Sequence, residues 1–333
     1  MTSKLTDKFG RDITYLRLSV TDRCDLRCTY CMAENMTFLP RKDILTFEEM
    51  DALTSAFIAR GVRKIRLTGG EPLVRRDVLP FIEGLSRHLK SGAVDEITLT
   101  TNGTQLEKYA KDLARVGVKR INVSLDSRDP EIFKTLARRD MLGQVLTGID
   151  AALDAGLNIK LNTVAMKGLN QAEIPDLMAW AHGKGMDMTL IEVMPMGAVD
   201  ADRVDQFLPL TAVKDDLETN YTLTSIDYHT GGPSRYVRVE ETGGRLGLIT
   251  PLTNNFCAGC NRVRVTCTGR IYMCLGQDNF VDLRAAMRGE NPEAALDTAL
   301  ARAMGAKPEK HDFDISKRDA SPAVARHMSM TGG

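Results

Sequence analysis

The sequence has no surplus of either charge: 44 lysines and arginines stand against 44 aspartates and glutamates. So balanced a chain creates no global field that would draw it onto nucleic acid or a membrane surface. Any anion it binds must be held by a few local cations. The chain also lacks an apolar run of transmembrane length, and Met1-Thr2-Ser3-Lys4-Leu5 opens no apolar leader. Seven cysteines in such a chain argue for a reducing cytoplasm and metal ligation, not for disulfides. No self-similar repeat is visible. With 333 residues, 43% of them apolar and 26% charged, the composition is that of a soluble globular protein able to bury a full core as one large domain or two.

What is present is a dense group of thiols, Cys24-Asp25-Leu26-Arg27-Cys28-Thr29-Tyr30-Cys31. Three cysteines at C-x3-C-x2-C can turn inward on one compact, soft cation, and an iron–sulfur cluster takes one thiolate per iron. No fourth cysteine lies nearby, and the closest histidine along the chain is His88. Zinc also takes tetrahedral sulfur, but its motifs are built mainly from C-x2-C pairs, so this spacing favours iron–sulfur. A cluster with three protein thiolates keeps one iron open for chemistry.

From residue 13 to about 195, β-branched runs alternate with amphipathic stretches. Strands are predicted at 13–20, 62–68, 96–101, 120–124, 158–164 and 188–193. Thr46 to Glu49 forms a capping box for a helix closed by Gly61, Asp129-Pro130 opens another, and Gly117, Gly156 and Gly185 end others. Six βα units with right-handed crossovers predict a parallel sheet, most simply a partial (β/α)6 barrel. The site of such a barrel lies at the C-terminal strand ends. There the sequence places the cysteine triplet, Gly69-Gly70-Glu71-Pro72, Thr100-Thr101-Asn102-Gly103, Ser124 with Asp126, Asn162 and Glu192-Val193-Met194-Pro195. Singly, the threonines and serines read as ordinary caps and turns; together they favour a site. On its own, Gly69-Gly70 reads as turn punctuation. Arg17, Arg66 and Lys160 sit within strands, where a charge is costly unless paired or facing water. They either form salt bridges inside the barrel or meet an anionic substrate at its mouth.

After Gly197 the alternation stops, and 221–249 reads as short β-segments. A second triplet follows, Cys257, Cys260 and Cys274, spaced C-x2-C-x13-C and again one ligand short. Six thiolates would overfill one site, so two separate sites are simpler. Zinc stays the alternative here, because C-x2-C is a common zinc half-site. In Arg262-Val263-Arg264-Val265-Thr266-Cys267 the alternation puts Cys267 on the core face with Val263 and Val265. It puts Arg262 and Arg264 on the other face, where they can clamp a polyphosphate or form a solvated basic edge. The chain ends in Gly332-Gly333, a frayed tail on the ordinary reading.

The first triplet, with Tyr30 before its last cysteine, resembles the signature of the radical S-adenosylmethionine (SAM) superfamily, and Gly69-Gly70-Glu71-Pro72 resembles that superfamily's second motif. The paired triplets, Asn261-Arg262-Val263-Arg264 and the terminal Gly-Gly are similar to its GTP-cyclising family in molybdenum cofactor biosynthesis, over nearly the whole chain. The resemblance implies a radical SAM partial barrel over 1–199, and a C-terminal mixed β/α region over 200–333 that closes the barrel and carries a second [4Fe–4S] cluster. It implies two [4Fe–4S] clusters and SAM as cofactors. Tyr30, Gly70, Ser124 and Met194 would line the SAM site. Arg17, Arg66, Thr100, Lys160, Arg262, Val263 and Arg264 would hold GTP. Arg17, Arg262, Arg264, Gly332 and Gly333 would be catalytic, the tail entering the barrel mouth. The implied chemistry is reductive cleavage of SAM, hydrogen abstraction from C3′ of GTP, attack on C8 and a final reduction. Implied partners are a flavodoxin- or ferredoxin-like electron donor and the downstream cyclic pyranopterin monophosphate synthase; monomer and homodimer both stay open.

Two other classes compete. A peptide-modifying radical SAM enzyme with an auxiliary cluster would favour a larger cysteine-rich C-terminal region and would not need Lys160 with the arginine pair. A non-catalytic iron–sulfur carrier or sensor would ligate each cluster with four cysteines, and seven cannot supply eight.

Overall fold

A computed structural model of the chain describes residues 3–197, 203–254, 256–311, 313 and 324–332. Six parallel strands follow one another in order: β1 (Tyr15–Ser19), β2 (Lys64–Thr68), β3 (Glu96–Thr101), β4 (Arg120–Ser124), β5 (Asn158–Ala165) and β6 (Asp187–Glu192). Between them run α1 (Phe47–Ala59), α2 (Val78–Lys90), α3 (Leu106–Arg115), α4 (Pro130–Ala137), α5 (Leu142–Asp154) and α6 (Ile174–Gly183). Local chemistry explains the helix ends. Thr46 Oγ1 accepts from Glu49 N while Glu49 Oε2 accepts from Thr46 N, closing the box at α1. Asp129 caps α4 with Pro130 at its first position.

The strands do not read as continuous apolar runs, because only one face meets the helices. Leu16, Leu18, Ile65, Leu67, Leu99 and Ile121 join Leu53, Phe57, Leu85, Leu113 and Ile149 of the helices in a single core. The opposite face carries Tyr15, Arg17, Arg66, Thr98, Asn122, Lys160 and Thr189, all buried and all polar. The barrel therefore has a polar lumen, in place of the filled apolar interior of a closed (β/α)8 barrel.

The remainder of the chain supplies three strands to each edge of this sheet. After α7 (Arg203–Gln206) and α8 (Leu210–Leu217) come β7 (Leu223–Ser225), β8 (Arg235–Val239) and β9 (Arg245–Ile249), and β9 lies parallel to β6. Then β10 (Arg262–Val265) pairs parallel with β1 and is followed antiparallel by β11 (Arg270–Tyr272) and β12 (Phe280–Asp282). The result is one twelve-stranded sheet, β12-β11-β10-β1-β2-β3-β4-β5-β6-β9-β8-β7. Helices α9 (Leu283–Met287), α10 (Pro292–Ala306) and α11 (Met328–Thr331) complete the described chain. None of the described helices is long and apolar enough to cross a membrane.

Candidate active site

The first cysteine loop begins where β1 ends. Val20 N still pairs with Thr68 O, after which Gly70 N donates to Thr21 O at 2.9 Å and Glu71 N to Arg23 O at 2.7 Å. A Cβ on Gly70 would overlap the main chain at Arg23, and one on Gly69 would press on Thr21. The glycine pair is thus needed where the cysteine loop crosses it, a close approach of two backbones that local spacing does not display. Arg27 N and Thr29 N, each 2.9 Å from its acceptor, bind the loop to Ala137 O and Leu136 O at the end of α4.

A second set of partners orients the thiols. Asn102 Nδ2 lies 3.7 Å from Cys24 Sγ and donates to Asp25 Oδ1 at 2.7 Å; Thr104 Oγ1 donates to Asp25 Oδ2 at 2.6 Å. Glu71 accepts from Leu73 N, Thr101 Oγ1 and Asn102 N at 2.9, 2.8 and 2.6 Å, yet burial pushes its carboxyl up to about 8. Tyr30 donates its hydroxyl to Asp126 Oδ2 at 2.8 Å, and burial raises Asp126 to about 6. Burial also raises the Cys24 and Cys28 thiols, so a cationic group is what would turn them into thiolates. Ser124 closes β4 beside its register partner Asn162.

On the lumen face, register produces two charged rows. Arg17 of β1 is level with Arg264 of β10 on one side and Arg66 of β2 on the other; Tyr15 is level with Arg262 and Lys64. Arg17, Arg66, Lys160, Arg262, Arg264 and Met194 line one cavity with Cys257, Cys260 and Cys274, holding about 1050 Å³ of empty space with its solvent-open mouth included. Arg66 and Lys160 meet no carboxylate at ion-pair distance among the described residues. Lys160 Nζ instead donates to Tyr236 Oη at 3.1 Å. Burial, then Arg66 and Arg120, hold its ammonium well below the usual lysine range. Burial, then the Arg262 and Arg326 charges, bring the Arg264 guanidinium down to about 9. Arg66 Nε, Asn122 Oδ1, Asn162 Oδ1 and Thr189 Oγ1 are buried without a partner among the described residues. Cations stressed by one another and orphaned polar atoms make a lumen that a polyanionic, hydrogen-bonding ligand would satisfy. Thr100 lies on β3 beside Asn122, its Oγ1 also buried and without a partner among the described residues. Val263 turns its side chain into the core, leaving only its main chain for a ligand.

Cys257 and Cys260 flank the turn before β10, and Cys274 follows β11. Burial works to raise the Cys260 thiol, but Arg262 and Lys307 outweigh it and bring it to about 7. Among the described residues no three His, Cys, Asp or Glu side chains meet closely enough to grip a single metal ion. Cys257, Cys260 and Cys274 line one cavity, and three thiolates, one per iron, are the donor set that a polynuclear cluster would take. Cys267 is buried in the core, as its strand alternation predicts. Sequence reasoning missed Arg11, Lys307 and Arg326 around the second triplet, and Tyr236 beside Lys160. Of these only a lysine directly before a proline, at the end of an amphipathic stretch, offered any local signal.

The last described stretch, residues 324–332, is largely buried. Val324 forms a parallel bridge with Met196, and Gly197 N donates to Val324 O at 2.8 Å. Met196, Val324 and Met328 form a small apolar cluster that touches Cys31 and Met194 on one side and Leu275, next to Cys274, on the other. Gly332 has φ of 70° and fits against Thr68, with which a Cβ would overlap. Arg264 Nη1 donates to Gly332 O at 2.8 Å and to Thr331 O at 3.3 Å. Gly333 lies outside the described residues.

Residues 18–181 match the Radical SAM superfamily, and 186–313 match the family described as Molybdenum Cofactor Synthesis C. A "GTP 3′,8-cyclase" of Rhizobium etli (strain CIAT 652) is 62% identical over 329 residues, spanning 99% of this chain and 94% of the relative. Proteins of the same name from Rhizobium meliloti (strain 1021) and Brucella canis are 61% and 60% identical, covering all of this chain and 95% and 96% of theirs. Among solved structures, Streptococcus suis SuiB bound to S-adenosylmethionine superposes with a TM-score of 0.60 at 14% identity, over 93% of this chain and 77% of that one. At that identity the likeness concerns the fold.

Proposed function

The chain belongs to the GTP 3′,8-cyclase family of radical SAM enzymes, and from that premise we propose how its residues turn GTP into (8S)-3′,8-cyclo-7,8-dihydroguanosine 5′-triphosphate, the first step of molybdenum cofactor biosynthesis. The observation that carries this reading is the row Arg264–Arg17–Arg66 on three adjacent strands, facing one cavity with the second cysteine triplet. A neutral chain that concentrates its buried cations there is built to hold a triphosphate.

Cys24, Cys28 and Cys31 would hold a [4Fe–4S] cluster, which together with SAM would supply the radical chemistry. Tyr30, Gly70, Ser124 and Met194 line the SAM side. Asn102, Asp25 and Glu71 keep the cysteine loop in place. Arg17, Arg66, Lys160, Arg262 and Arg264, with Thr100 and the Val263 main chain, bind GTP so that C3′ of its ribose faces the SAM side and C8 of its base lies within reach of C3′. The guanidinium row neutralises phosphate charge and the charge that develops as the new ring is reduced. Gly332, packed against Thr68, would help to exclude water from the reacting atoms. Cys257, Cys260 and Cys274, which line the same cavity, would hold a second [4Fe–4S] cluster. Residues 1–199 form the radical SAM unit and 200–333 the substrate-holding unit. The enzyme works in the cytoplasm, takes electrons from a flavodoxin- or ferredoxin-like donor and passes its product to cyclic pyranopterin monophosphate synthase.

The test is anaerobic. The reconstituted chain should hold about eight irons, two clusters' worth, and convert GTP with SAM and dithionite into the cyclised triphosphate with release of 5′-deoxyadenosine. The variant lacking Cys24, Cys28 and Cys31 should keep about four irons and cleave no SAM. A wild type holding only about four irons ends the two-cluster reading, and absence of the cyclised product ends the substrate reading.

A further inference from the structure

Besides Arg262, whose charge bears on the Cys260 sulfur, three cations from outside β10 lie against the second triplet. Arg11 Nη1 donates to Cys257 O at 2.8 Å, and Arg326 Nη2 donates to Cys274 O at 3.3 Å. These two arginines reach main-chain oxygens, and each also has a carboxylate of its own: Asp7 for Arg11 and Asp278 for Arg326. Lys307 differs on both counts. It is 1% exposed, and its Nζ lies 3.5 Å from Cys260 Sγ, 2.9 Å from Arg262 O and 2.8 Å from Met273 O. An ammonium has three protons, and these three acceptors use them all. Two of the acceptors are neutral carbonyls. The one acceptor able to carry a negative charge is the Cys260 sulfur, and a buried cation needs an anion. Placement supports the contact: α10 stops at Ala306, Lys307 is its C-cap, and Pro308 prevents continuation, so the side chain turns inward beneath β10.

We propose that Lys307 is a positioning residue for the second cluster, donating to the Cys260 sulfur and raising that cluster's reduction potential. This rests on the reading that Cys257, Cys260 and Cys274 carry a [4Fe–4S] cluster. Reduction adds one electron from the external donor, so the cluster and its thiolates become more negative by one unit. A fixed ammonium on a ligating sulfur stabilises that state more than the oxidised one, and hydrogen bonds to sulfur are among the levers that set such potentials. Arg11 and Arg326 fix the loop without touching sulfur, so they anchor rather than tune.

The experiment uses the full-length chain with Cys24, Cys28 and Cys31 replaced by alanine, so that only the second cluster is present. Its midpoint potential is read by dithionite titration followed by electron paramagnetic resonance, alongside iron content. Lys307→Met should retain about four irons and shift the midpoint to a more negative value, and Lys307→Arg should restore most of the shift. Retained iron with an unmoved midpoint in Lys307→Met overturns the proposal. Should Lys307→Met assemble no cluster, Lys307→Arg decides: cluster and potential regained support a role for the charge, and loss in both variants overturns it. A parent chain holding no iron removes the second cluster itself, a failure separate from that of Lys307.

Discussion

Arg264 donates through Nη1 to the main-chain oxygen of Gly332 at 2.8 Å, so a cation of the cavity lined by the second cysteine triplet also holds the last described residue. On the proposed function, tail and GTP would share one guanidinium. Replacing Arg264 with methionine should remove a charge-assisted contact worth roughly 1.5–3 kcal/mol, weakening GTP binding about 10- to 150-fold. It should also expose the segment around Met328 to protease. Unchanged affinity together with an unchanged cleavage pattern would show that the contact is incidental to both.

Gly332→Ala tests the tail by itself. The residue has positive φ and abuts Thr68, so an added methyl must displace it while touching none of the cysteines. Iron content, SAM cleavage and GTP affinity should stay close to wild type while the cyclised product falls at least tenfold, the counterpart of about 1.4 kcal/mol. The ratio of 5′-deoxyadenosine to product is the readout. A ratio that stays at the wild-type value shows that the tail has no part in the reaction.

Protons should accompany GTP into the cavity. Lys160 is held well below its ordinary value by burial and by Arg66 and Arg120, and a triphosphate favours its charged form. Binding must then take up protons in the interval between the depressed value and the ordinary 10.5. GTP affinity should decline as pH rises through that interval. Calorimetry of GTP binding in two buffers of different ionisation enthalpy measures the uptake directly. Lys160→Met should abolish most of it, and an uptake equal to that of wild type would move its source elsewhere.

At the opposite end of the barrel, Glu96 joins Lys64 at 2.5 Å and Arg120 at 2.7 Å. Burial opposes its charge, yet Arg120 and Lys64 outweigh it and hold the carboxyl below its ordinary value. A carboxylate lowered in the folded state adds stability that is complete above its unfolded value, 4.5, and is lost as pH falls through the folded one. Glu96→Gln should therefore cost about 1–3 kcal/mol at neutral pH and progressively less in acid. Unfolding midpoints of the two proteins across that range should converge; a gap independent of pH would point to packing instead of charge.

Much of the barrel could be read locally. The bounds of β3 and β4 follow directly from their β-branched runs, and the capping box at Thr46 from two side chains three residues apart. Local pattern also separated Arg262 and Arg264 from Val263 and Cys267, because alternation across a strand is a two-residue property. What resisted reading depends on distant partners. Arg11 meets Cys257 across 246 positions, and Lys160 meets Tyr236 across 76. The predicted first strand, 13–20, shortens to Tyr15–Ser19 because Ile13 N turns away to Leu5 O. The parallel pairing of β10 with β1, which levels Arg264 with Arg17, depends on where a remote strand docks.

That docking also governs the order in which the molecule can be completed. The outer strands of the six-stranded sheet, β1 and β6, are paired on their free sides by β10 and β9. A ribosome delivers both partners only after the whole barrel has emerged. Until then two strand edges, one of them leading into three thiols, face solvent with their main-chain donors and acceptors unused. Nascent chains halted near residue 200 should therefore associate with one another and with chaperones far more than chains halted after Val265, a vulnerability of synthesis that the finished enzyme no longer carries.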